Sequence, residues 1–203
     1  MWSVSGRCPA CGSVGKVPCD GCRAALPQAP VLVPPSGCDL CRALLAYEGA
    51  ARKLVTGLKY RNDRAVLGWL AGGLAELVVP PAGAVVTWAP TSGRRRRQRG
   101  YDQAELLARA VARRWQRPCR ALLQRRPGPP QTGRSLADRL AGVPFVPASG
   151  GRRPSPTHVV VVDDVLTTGA TLRTAALALR SAGAVWVAGL TAAATPRHAR
   201  KLT

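Results

Sequence analysis

The chain has 203 residues, of which 46% are hydrophobic, and a formal charge of +20. That length allows one full α/β domain and a small appendage, and the apolar content excludes a disordered chain. No apolar run reaches the roughly 20 residues of a membrane span; the nearest, Ala65–Val79, is interrupted by Glu76.

Met1–Cys11 has no apolar h-region of a secretory signal, so a soluble, cytoplasmic protein is expected. The positive charge draws polyanions without sequence specificity, which admits a nucleic-acid partner. It is carried almost wholly by arginine, in a chain also rich in alanine and glycine. GC-rich codon usage would give that pattern too, and an anionic small molecule would use the same local charge.

Residues 1–42 are rich in Cys, Gly and Pro and form a candidate module apart from the α/β domain expected over 43–203. Glu48–Lys59 places Leu54, Val55 and Leu58 on one helical face. A second helix is predicted over Asp63–Val79, ending before Pro80-Pro81. Ala84–Ala89 reads as a strand stopped by Pro90. Tyr101–Trp115 reads as a helix with its stripe at Leu106, Leu107, Ala110, Val111 and Trp115. The Pro-, Gly- and Arg-rich stretch Arg125–Pro156 offers only a short helix near Ser135–Leu140. His158–Val162 is a continuous apolar strand, Ala170–Ala182 a helix ended by Gly183, and Val185–Leu190 the next strand. This alternation predicts an α/β fold, a parallel sheet with helices on both faces.

The chemistry concentrates in THVVVVDDVLTTGATLRTA, where an apolar strand runs into Asp163-Asp164 and a Thr/Gly loop opens a helix. Ligands of open parallel sheets sit outside the carboxyl ends of the strands. The loop Thr167, Thr168, Gly169, Ala170 and Thr171 presents amides and hydroxyls at a helix start, which suits a phosphate monoester. Gly169 permits the tight turn. Two carboxylates repel a phosphate but accept hydrogen bonds from the 2′- and 3′-hydroxyls of a ribose. Together they fit a ribose 5-phosphate. The competing readings are a Mg²⁺ site of a phosphatase-like enzyme and a plain turn with a helix cap. No Walker-type G-x-x-x-x-G-K-[ST] occurs.

A second anion cradle is expected where Ala84–Ala89 meets Thr91 and Ser92, followed by Arg94–Arg97 and Arg99 in a loop able to close over a diphosphate. A solvated cationic loop or a polyanion-binding patch is the alternative. The cysteines fall as Cys8/Cys11, Cys19/Cys22, Cys38/Cys41 and Cys119. C-x2-C-x7-C-x2-C supplies four thiolates, the set of a structural Zn²⁺. Cys38/Cys41 is a half-site: a decayed second ribbon, a replacement for one of the first pairs, or inert. Cys119 reads as a small apolar residue of a buried strand. His158 and His198 read as structural or solvated.

Val159–Thr171 resembles the binding signature of type I phosphoribosyltransferases. The wider order of motifs resembles the ComF family, which joins an N-terminal zinc module to a phosphoribosyltransferase-like domain. The matching signals are the CxxC pairs, YEGAARKLVTGLKY at Tyr47–Tyr60, Arg99-Gly100-Tyr101-Asp102-Gln103, the Gln131-Thr132-Gly133 turn and Val159–Thr171. The resemblance implies a type I phosphoribosyltransferase-like sheet over 43–203 behind a zinc-ribbon-like module over 1–42. It implies that 5-phosphoribosyl-1-pyrophosphate binds with Mg²⁺, with Asp163 and Asp164 as catalytic residues, and that phosphoribose passes to an acceptor with release of pyrophosphate. A non-catalytic factor of DNA uptake, binding that sugar or nucleic acid, is the alternative it leaves. Two departures bear on turnover: Asp102 stands where the family has Asn, and the Arg…Asn pair after Gln131 is shortened to Arg139-Leu-Ala-Gly. Thr167 replaces the aspartate that contacts 6-oxopurines, which disfavours hypoxanthine or guanine as acceptor.

Overall fold

A computed structural model describes residues 6–61, 64–126, 144–148 and 157–196. The helix expected near Ser135–Leu140, the Gln131 turn, Arg139 and His198 lie outside the described residues. At the N-terminus, β1 (Gly6–Arg7) pairs antiparallel with β2 (Val14–Gly15), and the short α1 (Asp20–Ala24) follows.

The main sheet has four parallel strands: β3 (Leu40–Ala46), β4 (Val85–Trp88), β7 (His158–Leu166) and β8 (Trp186–Ala194). Their order is β3-β8-β7-β4. Between β4 and β7 the chain also forms the antiparallel hairpin β5 (Leu123–Arg125) and β6 (Phe145–Pro147). Val159–Val162 is buried without exposure because both faces of its strand are covered. Val160 and Val162 pack with Leu54 and Leu58 of α2 (Gly49–Arg61), Leu70 of α3 (Arg64–Glu76) and Leu107 of α5 (Gln103–Trp115). Val159 and Val161 pack with Leu172, Ala175 and Ala176 of α6 (Ala170–Ser181). Alternate residues of one strand thus feed two cores, the expected architecture of helices on both faces.

Three features differ from the sequence reading. β7 does not stop at Val162 but continues through the acidic pair. Its pairing with β8 runs on as Asp163↔Thr191, Val165↔Ala193 and Leu166↔Ala194, so ladder bonds outweigh the break in apolar pattern. Second, Arg94–Arg99 is not a loop but lies in the helix α4 (Gly93–Arg99). The Ser92 side chain accepts the Arg95 N–H at its start, and Gly100 takes a left-handed φ of 79° at its end; arginine between them is a good helix former. Third, β3 crosses residue 42, so Cys41 is a strand residue of the main sheet.

Candidate phosphosugar pocket and four-cysteine cluster

β4 and β7 are hydrogen-bonded neighbours, with Trp88 opposite Val162, so their carboxyl ends open side by side. A cavity of about 170 Å³ lies there. It gathers Asp163 and Asp164 from β7, Thr171 from α6, Thr91 from the β4–α4 turn and Arg99 from α4. Five residues singled out from two separate stretches of sequence thus line one hollow. Asp163 Oδ1 accepts the Asp164 N–H at 2.8 Å, which turns that carboxylate along the strand edge.

Thr167 and Thr168 are exposed, while Gly169 and Ala170 are buried in the turn. Gly169 has φ 72° and sits at the N-cap of α6. A Cβ there would meet Pro35 Cγ at 3.2 Å, so the loop packs against the segment that leads into β3. Thr168 Oγ1 accepts the Ala170 N–H at 3.4 Å, and Thr195 Oγ1 donates to the Thr167 carbonyl at 3.4 Å. The turn is therefore held by hydrogen bonds within the protein itself. Ser92 does not line the cavity: its hydroxyl caps α4, accepting from Arg95 N at 3.3 Å.

The structure selects one residue from the expected Arg94–Arg97 run and adds others that sequence reading missed. Arg95 lies one helical turn before Arg99 and lines the same cavity, as i and i+4 residues of a helix share a face. That spacing was visible once the run is read as helix. Arg125 of β5 and Phe145 of β6 also line it, a directly opposed pair in the antiparallel hairpin. No periodicity in Arg125–Pro156 announced them. Arg99 Nη1 donates to Gln103 Oε1 at 3.1 Å, and Gln103 is 2% exposed, so α5 braces the arginine. Asp102 caps α5 and is 5% exposed; its Oδ1 accepts Ala104 N at 3.1 Å and its Oδ2 accepts Thr91 N at 2.8 Å. Burial raises the Asp102 carboxyl above its ordinary range, against the pull of these N–H donors. Asp and Asn start helices equally well, so the departure at 102 is compatible with an intact α5.

The four cysteines form a second cluster. The Sγ atoms of Cys8, Cys11, Cys19 and Cys22 all lie within 4.8 Å of one another. A tetrahedral zinc with bonds of 2.3 Å separates its sulfurs by about 3.8 Å, and the gathered thiols match that scale. Gly12 N donates to the Cys8 carbonyl at 2.7 Å and Gly12 takes φ 83°, closing the first knuckle. The Ser13 hydroxyl beside Cys11 lowers its thiol to about 6. Hydrogen bonds to Cys11 and Cys19 push the Cys22 thiol up to about 12. The set could hold a metal such as zinc. The module docks on α2, where Lys53 Nζ donates to the Ala10 carbonyl at 3.2 Å and a Cβ on Gly57 would come within 2.9 Å of Pro9.

Cys38 and Cys41 stand apart. Burial pushes their thiols up to about 12 and about 11, the behaviour of packed, protonated side chains. Cys119 is half-buried beside β4 in a single bridge to Val86, and burial raises its thiol too. No helix among the described residues is long and apolar enough to cross a membrane.

No protein-family model matches the chain. The competence protein ComFC of Bacillus subtilis (strain 168) is 26% identical over 145 residues, which are 70% of this chain and 58% of that protein. The chain thus spans little more than half the length of that curated relative. A solved structure of the allosteric regulatory enzyme of purine biosynthesis superposes with a TM-score of 0.46 at 22% identity, over 68% of this chain and 30% of that one. A hypoxanthine phosphoribosyl transferase of Trypanosoma cruzi superposes with a TM-score of 0.38 at 13% identity, over 75% and 70%. The chain is thus similar over 70% of its length to a competence protein, and its own fold is α/β around a four-stranded parallel sheet with a four-cysteine cluster at the N-terminal end.

Proposed function

We propose that the chain binds the Mg²⁺ complex of 5-phosphoribosyl-1-pyrophosphate at the β4/β7 edge and transfers its phosphoribose to an acceptor, releasing pyrophosphate. The observation that supports this best is the single cavity shared by Asp163, Asp164, Thr171, Thr91, Arg95 and Arg99. On this reading the Thr167–Thr171 turn holds the 5-phosphate through its amides and hydroxyls. Asp163 and Asp164 accept hydrogen bonds from the ribose hydroxyls. As the C1–O bond to the diphosphate breaks, positive charge grows on the ring, and the same carboxylates lie beside it. Arg95 and Arg99 take up the negative charge left on the departing diphosphate. The carboxylate oxygens of the acidic pair are hard donors that suit Mg²⁺. The metal, when bound, neutralises the diphosphate. Structural Zn²⁺ in the Cys8/Cys11/Cys19/Cys22 cluster completes the proposal.

Calorimetry with the Mg²⁺ complex of the sugar pyrophosphate tests it. Wild type binds, and Asp163→Asn/Asp164→Asn loses binding by more than tenfold. A wild type that gives no heat of binding rejects the reading. The likeness to a competence protein favours a second one, a non-catalytic factor of DNA uptake that uses the same pocket to sense the sugar or binds nucleic acid through exposed arginines such as Arg94 and Arg96. Pyrophosphate release with candidate acceptors separates the two readings, and a gel shift repeated after neutralising Arg94–Arg97 tests the nucleic-acid branch.

A further inference from the structure

The anion cradle expected at the β4–α4 turn contains an anion of the protein's own. Thr91 N, a backbone donor of that turn, is engaged by Asp102 Oδ2 at 2.8 Å. The other oxygen of the same carboxylate accepts Ala104 N at 3.1 Å. Asp102 is 5% exposed and lines the cavity, so this is a desolvated contact at the site itself. Hydrogen bonds to a charged acceptor are about twice as strong as neutral ones, and more so away from water.

Charge points the same way. Among the described residues the cavity is lined by three guanidiniums, Arg95, Arg99 and Arg125, and three carboxylates, Asp102, Asp163 and Asp164. Asp163 and Asp164 sit at the strand end suited to sugar hydroxyls. Asp102 sits instead on the side of Thr91, Arg95 and Arg99, where a diphosphate would lie. There its charge opposes an anionic ligand, and its oxygen occupies an amide such a ligand would use.

We propose that Asp102 is an internal counter-anion that holds the Thr91 amide until a diphosphate displaces it, and so sets the affinity of this pocket for anionic ligands. The inference rests on the phosphosugar reading above. Binding exchanges one acceptor for another on Thr91 N, while Asp102 keeps Ala104 N and the cap of α5. The pocket is thereby tuned below its full affinity, which favours release of pyrophosphate once it has formed.

Two substitutions isolate the effect without removing the cap, since Asn and Ser both start helices well. Asp102→Asn removes the charge and leaves a single acceptor oxygen for two N–H donors. Asp102→Ser keeps an oxygen near Ala104 N but is too short to span to Thr91. Calorimetry with Mg²⁺ and inorganic pyrophosphate is expected to show about tenfold tighter binding by each variant than by wild type. The ¹H–¹⁵N resonance of Thr91 reports the exchange directly. It moves on Asp102→Asn, and in wild type it moves when pyrophosphate is added. Equal or weaker binding by both folded variants overturns the inference, as does a Thr91 resonance that pyrophosphate leaves in place. If wild type binds the sugar pyrophosphate and the variants bind it equally well, Asp102 fails alone. If wild type binds neither compound, the phosphosugar reading fails with it.

Discussion

Gly169→Ala tests the built turn most directly. The native residue holds φ 72° at the N-cap of α6. An L-residue in that region costs about 1–2 kcal/mol. The added methyl would also stand 3.2 Å from Pro35 Cγ, tighter than ordinary contact and against a rigid ring. Together these predict a loss of about 2 kcal/mol. For a domain of this size that lowers Tm by about 4–8 °C. Gly183→Ala is the control. It has φ 98° with open space around the new methyl, so it carries the backbone cost alone. Urea unfolding with an unchanged slope measures both, and the difference between them isolates the Pro35 contact. Affinity for the sugar pyrophosphate should fall in Gly169→Ala and not in Gly183→Ala. A Gly169→Ala protein within about 0.5 kcal/mol of wild type would refute the reasoning about this turn.

On the zinc proposal, treatment with a chelator, or Cys19→Ser, should abolish one equivalent of bound metal by elemental analysis. It should also speed amide exchange in α2 around Lys53–Gly57, where the cluster docks; unchanged exchange would disconnect the two. The buried thiols predict an alkaline limit. Unfolded, Cys38 and Cys41 ionise near 9.0, but folded only at about 12 and about 11. Below pH 9 both states keep the protons, and as pH rises from 9 towards 11 the unfolded chain sheds them first, so stability falls. The slope reaches about 1.4 kcal/mol per pH unit for Cys41, and urea midpoints of Cys41→Ala at pH 8, 9 and 10 should show it reduced. Arg180 donates to the carbonyls of Gly37 and Ala184 and pairs with Asp39, which also accepts Val187 N. A lysine cannot reproduce that fork, so Arg180→Lys should cost about 1–2 kcal/mol in thermal or urea unfolding.

What was legible in the sequence is what local chemistry determines. Val159–Val162 and the Gly183 stop show a doubly covered strand and a helix end, because burial and backbone conformation act residue by residue. The Cys8–Cys22 spacing shows a metal-scale cluster for the same reason. Contacts between distant stretches were not legible. The pairing of Asp163 with Thr191 extends β7 past the point where its apolar pattern ends. That the Ser92 hydroxyl accepts Arg95 N and caps α4 appears only once the arginine run is seen as a helix. Arg125 and Phe145 meet the pocket only because a hairpin closes across 19 intervening residues. Asp102 read as a blemish in a motif, and its hold on Thr91 depends on a turn eleven residues away.

The adjacency of β4 and β7 has a geometric consequence. Neighbouring strands lie about 4.8 Å apart, at a spacing fixed by backbone hydrogen bonds. The Thr91 turn and the acidic pair are therefore mounted on a ruler that side-chain changes do not lengthen. Substitutions in either loop alter what is gripped at each end, while the distance between the two grips belongs to the sheet.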